Sequence, residues 1–138
     1  VPRAVLDTNV LVSALISPSG ASAQLLIELR SGGFELIVSP LLLAELREVL
    51  SRPKFRRYVS EAEIDAYAEL IRREGLVVDD PLPSSEPVGV DPDDEYLIDL
   101  ARAGQVDAMV TGDVHLLDLR DVLPVRTPRE FIDSLATP

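Results

Sequence analysis

Cysteine and tryptophan are absent from this 138-residue chain, so neither a disulfide framework nor a cysteine-based zinc site is open to it. Histidine occurs once, at His115, which excludes bis-histidine metal centres; a Ser-His-Asp triad would have to use that one residue. Lysine also occurs once, at Lys54. Long apolar runs are missing too. The longest is four residues, Leu41 to Ala44, against about twenty for a membrane helix and about seven to fifteen for a signal peptide, and the expected location is the cytoplasm. Neither G-x-x-x-x-G-K nor G-x-G-x-x-G occurs, which removes the common glycine-rich phosphate cradles.

Positive charge is scarce. Thirteen Lys and Arg face 24 Asp and Glu, a formal charge of −11, which argues against a generic nucleic-acid coat protein but not against a local basic site. Four of the thirteen cations fall in Arg52-Pro53-Lys54-Phe55-Arg56-Arg57. That run reads equally as a grip on a nucleic-acid backbone and as a solvated connection between helices. Phe55 or Tyr58 would be placed to stack on a base or to fill the core.

What the chain does have is alternation. Short apolar runs at Ala4–Leu6, Leu36–Val38, Leu76–Val78, Ala108–Val110 and Val125 read as buried strands. Stretches of helical period lie between and around them: Val10–Ile16, Ala21–Ser31, Pro40–Ser51, Glu61–Glu74, Asp93–Ala103, a short turn at Val114–Leu119, and Pro128–Leu135. Gly32-Gly33 and Gly75 fall at helix stops, and Pro40 and Pro128 follow Ser39 and Thr127 at helix starts. Parallel strands need helical crossovers, so the pattern predicts an α/β fold with a small, mainly parallel sheet of four to five strands. Residues 1–138 make one core's worth of chain, and Asp79 to Pro92 reads as a surface loop.

Four carboxylates stand out. Asp7 directly follows the first strand and Asp113 follows the fourth, and in an open parallel sheet ligands bind beyond the carboxyl ends of strands. Each alone reads first as a turn or cap aspartate. Helical register singles out the other two. Glu45 has Leu41 and Val49 at i−4 and i+4, and Asp94 has Leu97, Ile98 and Ala101 at i+3, i+4 and i+7, so both face an apolar stripe. Asp93 lies at the edge of that stripe, as cap or second ligand. A carboxylate pressed toward a core must be protonated, hydrogen-bonded or bound to a cation. Four that converge raise one another's pKa, and Mg²⁺ or Mn²⁺ is the natural relief, with phosphodiester hydrolysis the chemistry such ions suit.

Leu-Asp-Thr-Asn near the start, a helical Glu after Ser-Pro, Asp-Pro-Asp-Asp before a helix, and Thr-Gly-Asp-Val-His-Leu-Leu followed by Val-Arg-Thr-Pro-Arg-Glu-Phe resemble the PIN-domain family nearly end to end. Within it the chain is most similar to VapC-like toxins of toxin–antitoxin pairs. The resemblance implies a three-layer α/β/α fold and a metal-dependent endoribonuclease, typically dimeric and often silenced by an antitoxin protein. It places the family's acids on Asp7, Glu45, Asp94 and Asp113, and its polar helpers on Asn9 and Thr111. His115 reads as a surface residue rather than a general base, and Ser13 and Ser39 as helix or cap residues.

Two rival classes remain. A PIN-like binding or scaffold protein with little catalysis would keep the same fold. A phosphate-transfer receiver would also set acids at strand ends, but it is expected to carry a lysine at a late strand end, and Lys54 is in mid-chain.

Overall fold

Five of the apolar runs become strands, and the register among them decides where the acids fall. A computed structural model describes residues 1–84 and 86–136. Strands β1 (Arg3–Leu6), β2 (Glu35–Val38), β3 (Leu76–Val77), β4 (Ala108–Val110) and β5 (Val125–Arg126) form one sheet in the order β3-β2-β1-β4-β5, with every pairing parallel. The expected α/β class and strand number are therefore observed. β1 is central, and Ala4, Val5 and Leu6 are buried on both faces, as short apolar runs in a parallel sheet must be.

The helices are α1 (Thr8–Ile16), α2 (Ala21–Arg30), α3 (Pro40–Leu50), α4 (Glu61–Glu74), α5 (Pro92–Gly104), α6 (Val114–Leu117) and α7 (Pro128–Leu135), with a single 3₁₀ turn at Pro53–Phe55. Helices α1 to α4 and α7 pack on one another, whereas α5 packs against β1 and β4. Right-handed crossovers require that division, because the chain moves outward from β1 to β3 and then returns to β4. Among the described residues no single helix is long and apolar enough to cross a membrane.

Local chemistry fixes the helix starts. Ser39 Oγ accepts the Leu42 N–H at 3.3 Å with Pro40 in the first turn, and Asp91 Oδ1 accepts the Asp94 N–H at 3.1 Å ahead of α5. Ser60 with Glu63 and Thr127 with Glu130 form reciprocal capping boxes on α4 and α7. Gly104 ends α5 against β2 so closely that a Cβ there would lie 2.9 Å from Ile37 Cγ2. Past it the chain turns at Gln105, which holds φ 52°.

One expectation needs correction. Leu76 and Val77 were expected in a buried strand, but β3 is the sheet edge and both are exposed, 43% and 42%. An edge strand has one neighbour, and here it is only two residues long, which limits its use as a template for another chain.

Candidate functional site

Leu6 on β1 pairs with Val110 on β4, so the residues that follow the two strands leave the sheet side by side. The Asp7 N–H extends the ladder by donating to the Val110 carbonyl at 2.9 Å. Two acids 106 positions apart in the chain are thereby held at the same sheet edge. A single hydroxyl ties them further. Buried Thr111 donates to Asp7 Oδ2 at 2.8 Å while its oxygen accepts the Asp113 N–H at 3.0 Å. Asp113 also caps α6, with Oδ1 accepting the His115 N–H at 2.8 Å. The turn-aspartate reading of Asp113 is thus realised in this cap.

Helix α3 leaves β2 at this edge, and Glu45 lies on its second turn. It is half-buried, and its Oε2 accepts a hydrogen bond from the Thr8 hydroxyl at 3.0 Å, with no arginine taking that place. Thr8 is the first residue of α1 and buried, whereas Asn9 is exposed and contributes a backbone N–H to Asp7. Thr8 is the polar residue that sequence reasoning passed over. The signal was its place in Leu-Asp-Thr-Asn, but its partner lies 37 positions away.

The first turn of α5 brings in Asp94, half-buried, while Asp93 is exposed. Burial is the main reason the Asp94 carboxyl is pushed up to about 6, and the charges of Asp91, Asp113, Asp7 and Asp93 add to it. Burial also raises Asp7, against the Thr111 hydroxyl and the Asn9 N–H that lower it, with Asp113 pushing upward. Glu45 is raised by burial too, opposed by the Thr8 hydroxyl and reinforced by Asp93 and Asp7. Asp7, Asp94 and Asp113 are thus linked by like-charge repulsion, and Glu45 is linked to Asp7 and Asp93.

Their donor set is all oxygen, with no sulfur and no imidazole. That suits a hard divalent cation such as Mg²⁺ or Mn²⁺ and does not suit zinc. Among the described residues, no three acidic or imidazole side chains are gathered closely enough to hold an ion as they stand. Leu6 and Val110 pair in register, so the backbones that carry Asp7 and Asp113 do lie side by side.

The basic run lies elsewhere. Arg52, Lys54, Arg56 and Arg57 follow the far end of α3, at the bend of the α3–α4 hairpin closed by the Arg47–Asp65 ion pair. Arg52 is paired with Glu48 at 2.9 Å, and Lys54 and Arg57 lie over the rings of Phe55 and Tyr58 at 5.1 and 5.2 Å. Arg52 stands seven residues beyond Glu45, past the end of α3, with about 7.5 Å of helix between Glu45 and Leu50. Arg126 is a further cation, on β5. It pairs in register with Val110 at the acid-bearing edge, and its guanidinium donates to the Val125 carbonyl at 3.0 Å. A separate cleft of about 550 Å³ opens between the proline-rich loop and α5, and none of the four acids lines it. His115 is exposed, Ser13 is exposed on α1, and Ser39 caps α3.

Comparison with known proteins matches the model of a family described as "PIN domain" to residues 3–115. An uncharacterized protein of Methanocaldococcus jannaschii is 30% identical over 96% of this chain and 90% of its own length. Among solved structures, the crystal structure of VapBC2 from Rickettsia felis bound to a DNA fragment from its promoter superposes with a TM-score of 0.64. The identity is 17%, with 91% of this chain and 98% of that one covered.

Proposed function

The chain belongs to the PIN-domain family, and from that premise we propose that it is a metal-dependent endoribonuclease, the toxin of a toxin–antitoxin pair. The observation that carries the reading is an acidic patch built by geometry: Asp7 and Asp113 leave paired strands side by side, tied through Thr111, with Glu45 held by Thr8, and Asp94 on α5 pushed up to about 6 by burial and by Asp91, Asp113, Asp7 and Asp93. Such a patch is unfavourable unless a cation or proton neutralises it. The four carboxylates would hold Mg²⁺ or Mn²⁺, which when bound supplies activation of water and stabilisation of charge on the scissile phosphate. Thr111 keeps Asp7 and Asp113 in step, Thr8 aims Glu45, and α5 presents Asp94. With all first-sphere groups negative, the substrate backbone needs cations at the rim, for which Arg126 and the run Arg52, Lys54, Arg56, Arg57 are the candidates.

The partners in this reading are an RNA substrate, a cognate antitoxin protein and a second copy of the chain as a homodimer, all in the cytoplasm, with residues 1–138 acting as one domain. The fold likeness to a protein solved as a toxin–antitoxin complex supports the antitoxin. The alternative, a PIN-like binding protein with little turnover, draws on the absence of a ready-made ligand cluster among the described residues. The deciding experiment is cleavage of single-stranded RNA with Mn²⁺, with EDTA, and by Asp7→Asn. Cleavage that survives both chelation and the substitution rejects the nuclease reading, and single-stranded DNA in parallel reads the choice of sugar.

A further inference from the structure

Of the four acids, three are steadied through hydroxyl or backbone hydrogen bonds within the site, and Asp94 is the one whose position must come from its helix. Asp7 is held by Thr111, Asp113 by the His115 N–H, and Glu45 by Thr8. Asp94's own bond to Asp91 is made by its main chain. What holds the first turn of α5 therefore determines where its carboxylate stands.

Two residues beyond Asp94, the half-buried Tyr96 reaches across to two other elements. Its hydroxyl donates to Asp80 Oδ1 at 2.5 Å and also meets Ser39 Oγ. A phenol has one proton and a carboxylate can only accept, so Tyr96 gives its proton to Asp80 and takes the Ser39 hydroxyl proton. Ser39 in turn accepts the Leu42 N–H at 3.3 Å, and Asp80 Oδ1 accepts the Leu41 N–H at 3.0 Å. The circuit closes on itself: Leu42 to Ser39 to Tyr96 to Asp80, and back through Leu41 to the same helix end. Every donor in it has an acceptor. It joins the α3 N-terminus, the segment after β3 and the first turn of α5.

We propose that Tyr96 is a positioning residue of the acid site: its hydroxyl, locked between Ser39 and Asp80, sets the spacing between the α5 turn that carries Asp94 and the α3 turn that carries Glu45. Tyr96 is not a ligand and does not touch the reacting atoms. Its role is to hold two ligand-bearing helices in register against the repulsion of their carboxylates. The proposal rests on the cation-site reading of the four acids.

The test is Mn²⁺ binding measured by electron paramagnetic resonance on wild type, Tyr96→Phe, Asp80→Ala and the double variant, with EDTA melting curves on each. Tyr96→Phe keeps the ring and loses the circuit. The expected result is Mn²⁺ affinity weakened about ten-fold in each single variant, the size typical of outer hydrogen-bond partners of metal sites, and no further loss in the double variant. The same shift is expected in the Mn²⁺ concentration needed for half-maximal RNA cleavage, with kcat restored at saturating Mn²⁺. Should one variant fail to fold, the other still reads the circuit. Wild-type affinity in the folded variants overturns the clasp and leaves the nuclease reading intact. No Mn²⁺ binding by the wild type overturns both.

Discussion

Thr8 and Glu45, on different helices and 37 positions apart, are joined by a 3.0 Å hydrogen bond from the threonine hydroxyl to Oε2. The bond explains how a carboxylate on an otherwise apolar helix face is tolerated. It satisfies one lone pair and lowers the Glu45 pKa against the larger upward push of burial. It also keeps the acid turned toward the sheet edge where Asp7 emerges.

Thr8→Val preserves shape and removes that donor. Loss of this donor to the half-buried Glu45 carboxylate costs about 1 kcal/mol, so melting of the variant should fall by a few degrees. Its Mn²⁺ affinity should weaken by about ten-fold, as for other second-sphere partners. Calorimetric melting and Mn²⁺ titration check the two effects separately, and a variant that matches wild type in both would show the bond to be idle.

Asp94 makes stability depend on pH in an unusual direction. Its carboxyl is pushed up to about 6 in the fold from an ordinary 3.8, so between those values the folded state binds more protons than the unfolded one. Stability from this group is therefore highest below about 4 and falls as pH rises through 6. Asp7 and Glu45 are raised as well and act in the same sense. Glu63, Glu69, Asp80 and Glu130 are lowered and oppose the trend, which is why the comparison must be a difference. In EDTA, wild type should lose stability relative to Asp94→Asn as pH goes from 4 to 7, and saturating Mn²⁺ should reverse the gap at pH 7. Melting curves across that range for both proteins would show the sign directly, and a constant difference would remove the repulsion argument.

The α/β alternation was legible because apolar triplets such as Leu36–Val38 have only one use in a chain this size, as strands buried on both faces. Asp94 was legible for a similar reason, since Leu97, Ile98 and Ala101 fix which side of the helix it shares. Other features depend on how elements meet. Leu76–Val77 has the composition of the buried runs, yet it is exposed because the strand order puts it at the edge. Thr8, Arg126 and Tyr96 carry no periodic signal, and their meaning appears only when β1 pairs with β4, β4 with β5, and α5 swings against α3. The α3–α4 bend likewise sets the basic run past the end of α3, away from Glu45 on its second turn, a separation that a linear motif does not encode.

Replacing Arg56 and Arg57 with Ala should weaken RNA binding and flatten its salt dependence, by a slope of about 1.4 if each contacts one phosphate of a single strand. Arg126→Ala should lower the slope by about 0.7 on the same scale. Fluorescence anisotropy over a salt series separates the two cation sets, and whichever leaves the slope unchanged lies off the path of the strand.

Gln105 holds the left-handed conformation at the end of α5, with φ 52°. A non-glycine residue there carries a steric penalty of about 1 kcal/mol. Gln105→Gly should raise stability by about 0.5–1 kcal/mol in urea unfolding, since the side chain is exposed. An unchanged or lowered midpoint would show that the side chain offsets the strain.

Mn²⁺ binding isotherms at neutral pH for wild type, Asp7→Asn, Asp94→Asn and Asp113→Asn test most directly whether the four acids act as one cation site. Saturable binding by wild type that weakens by at least about ten-fold in every variant is the expected result. Isotherms that coincide across all four proteins would contradict it.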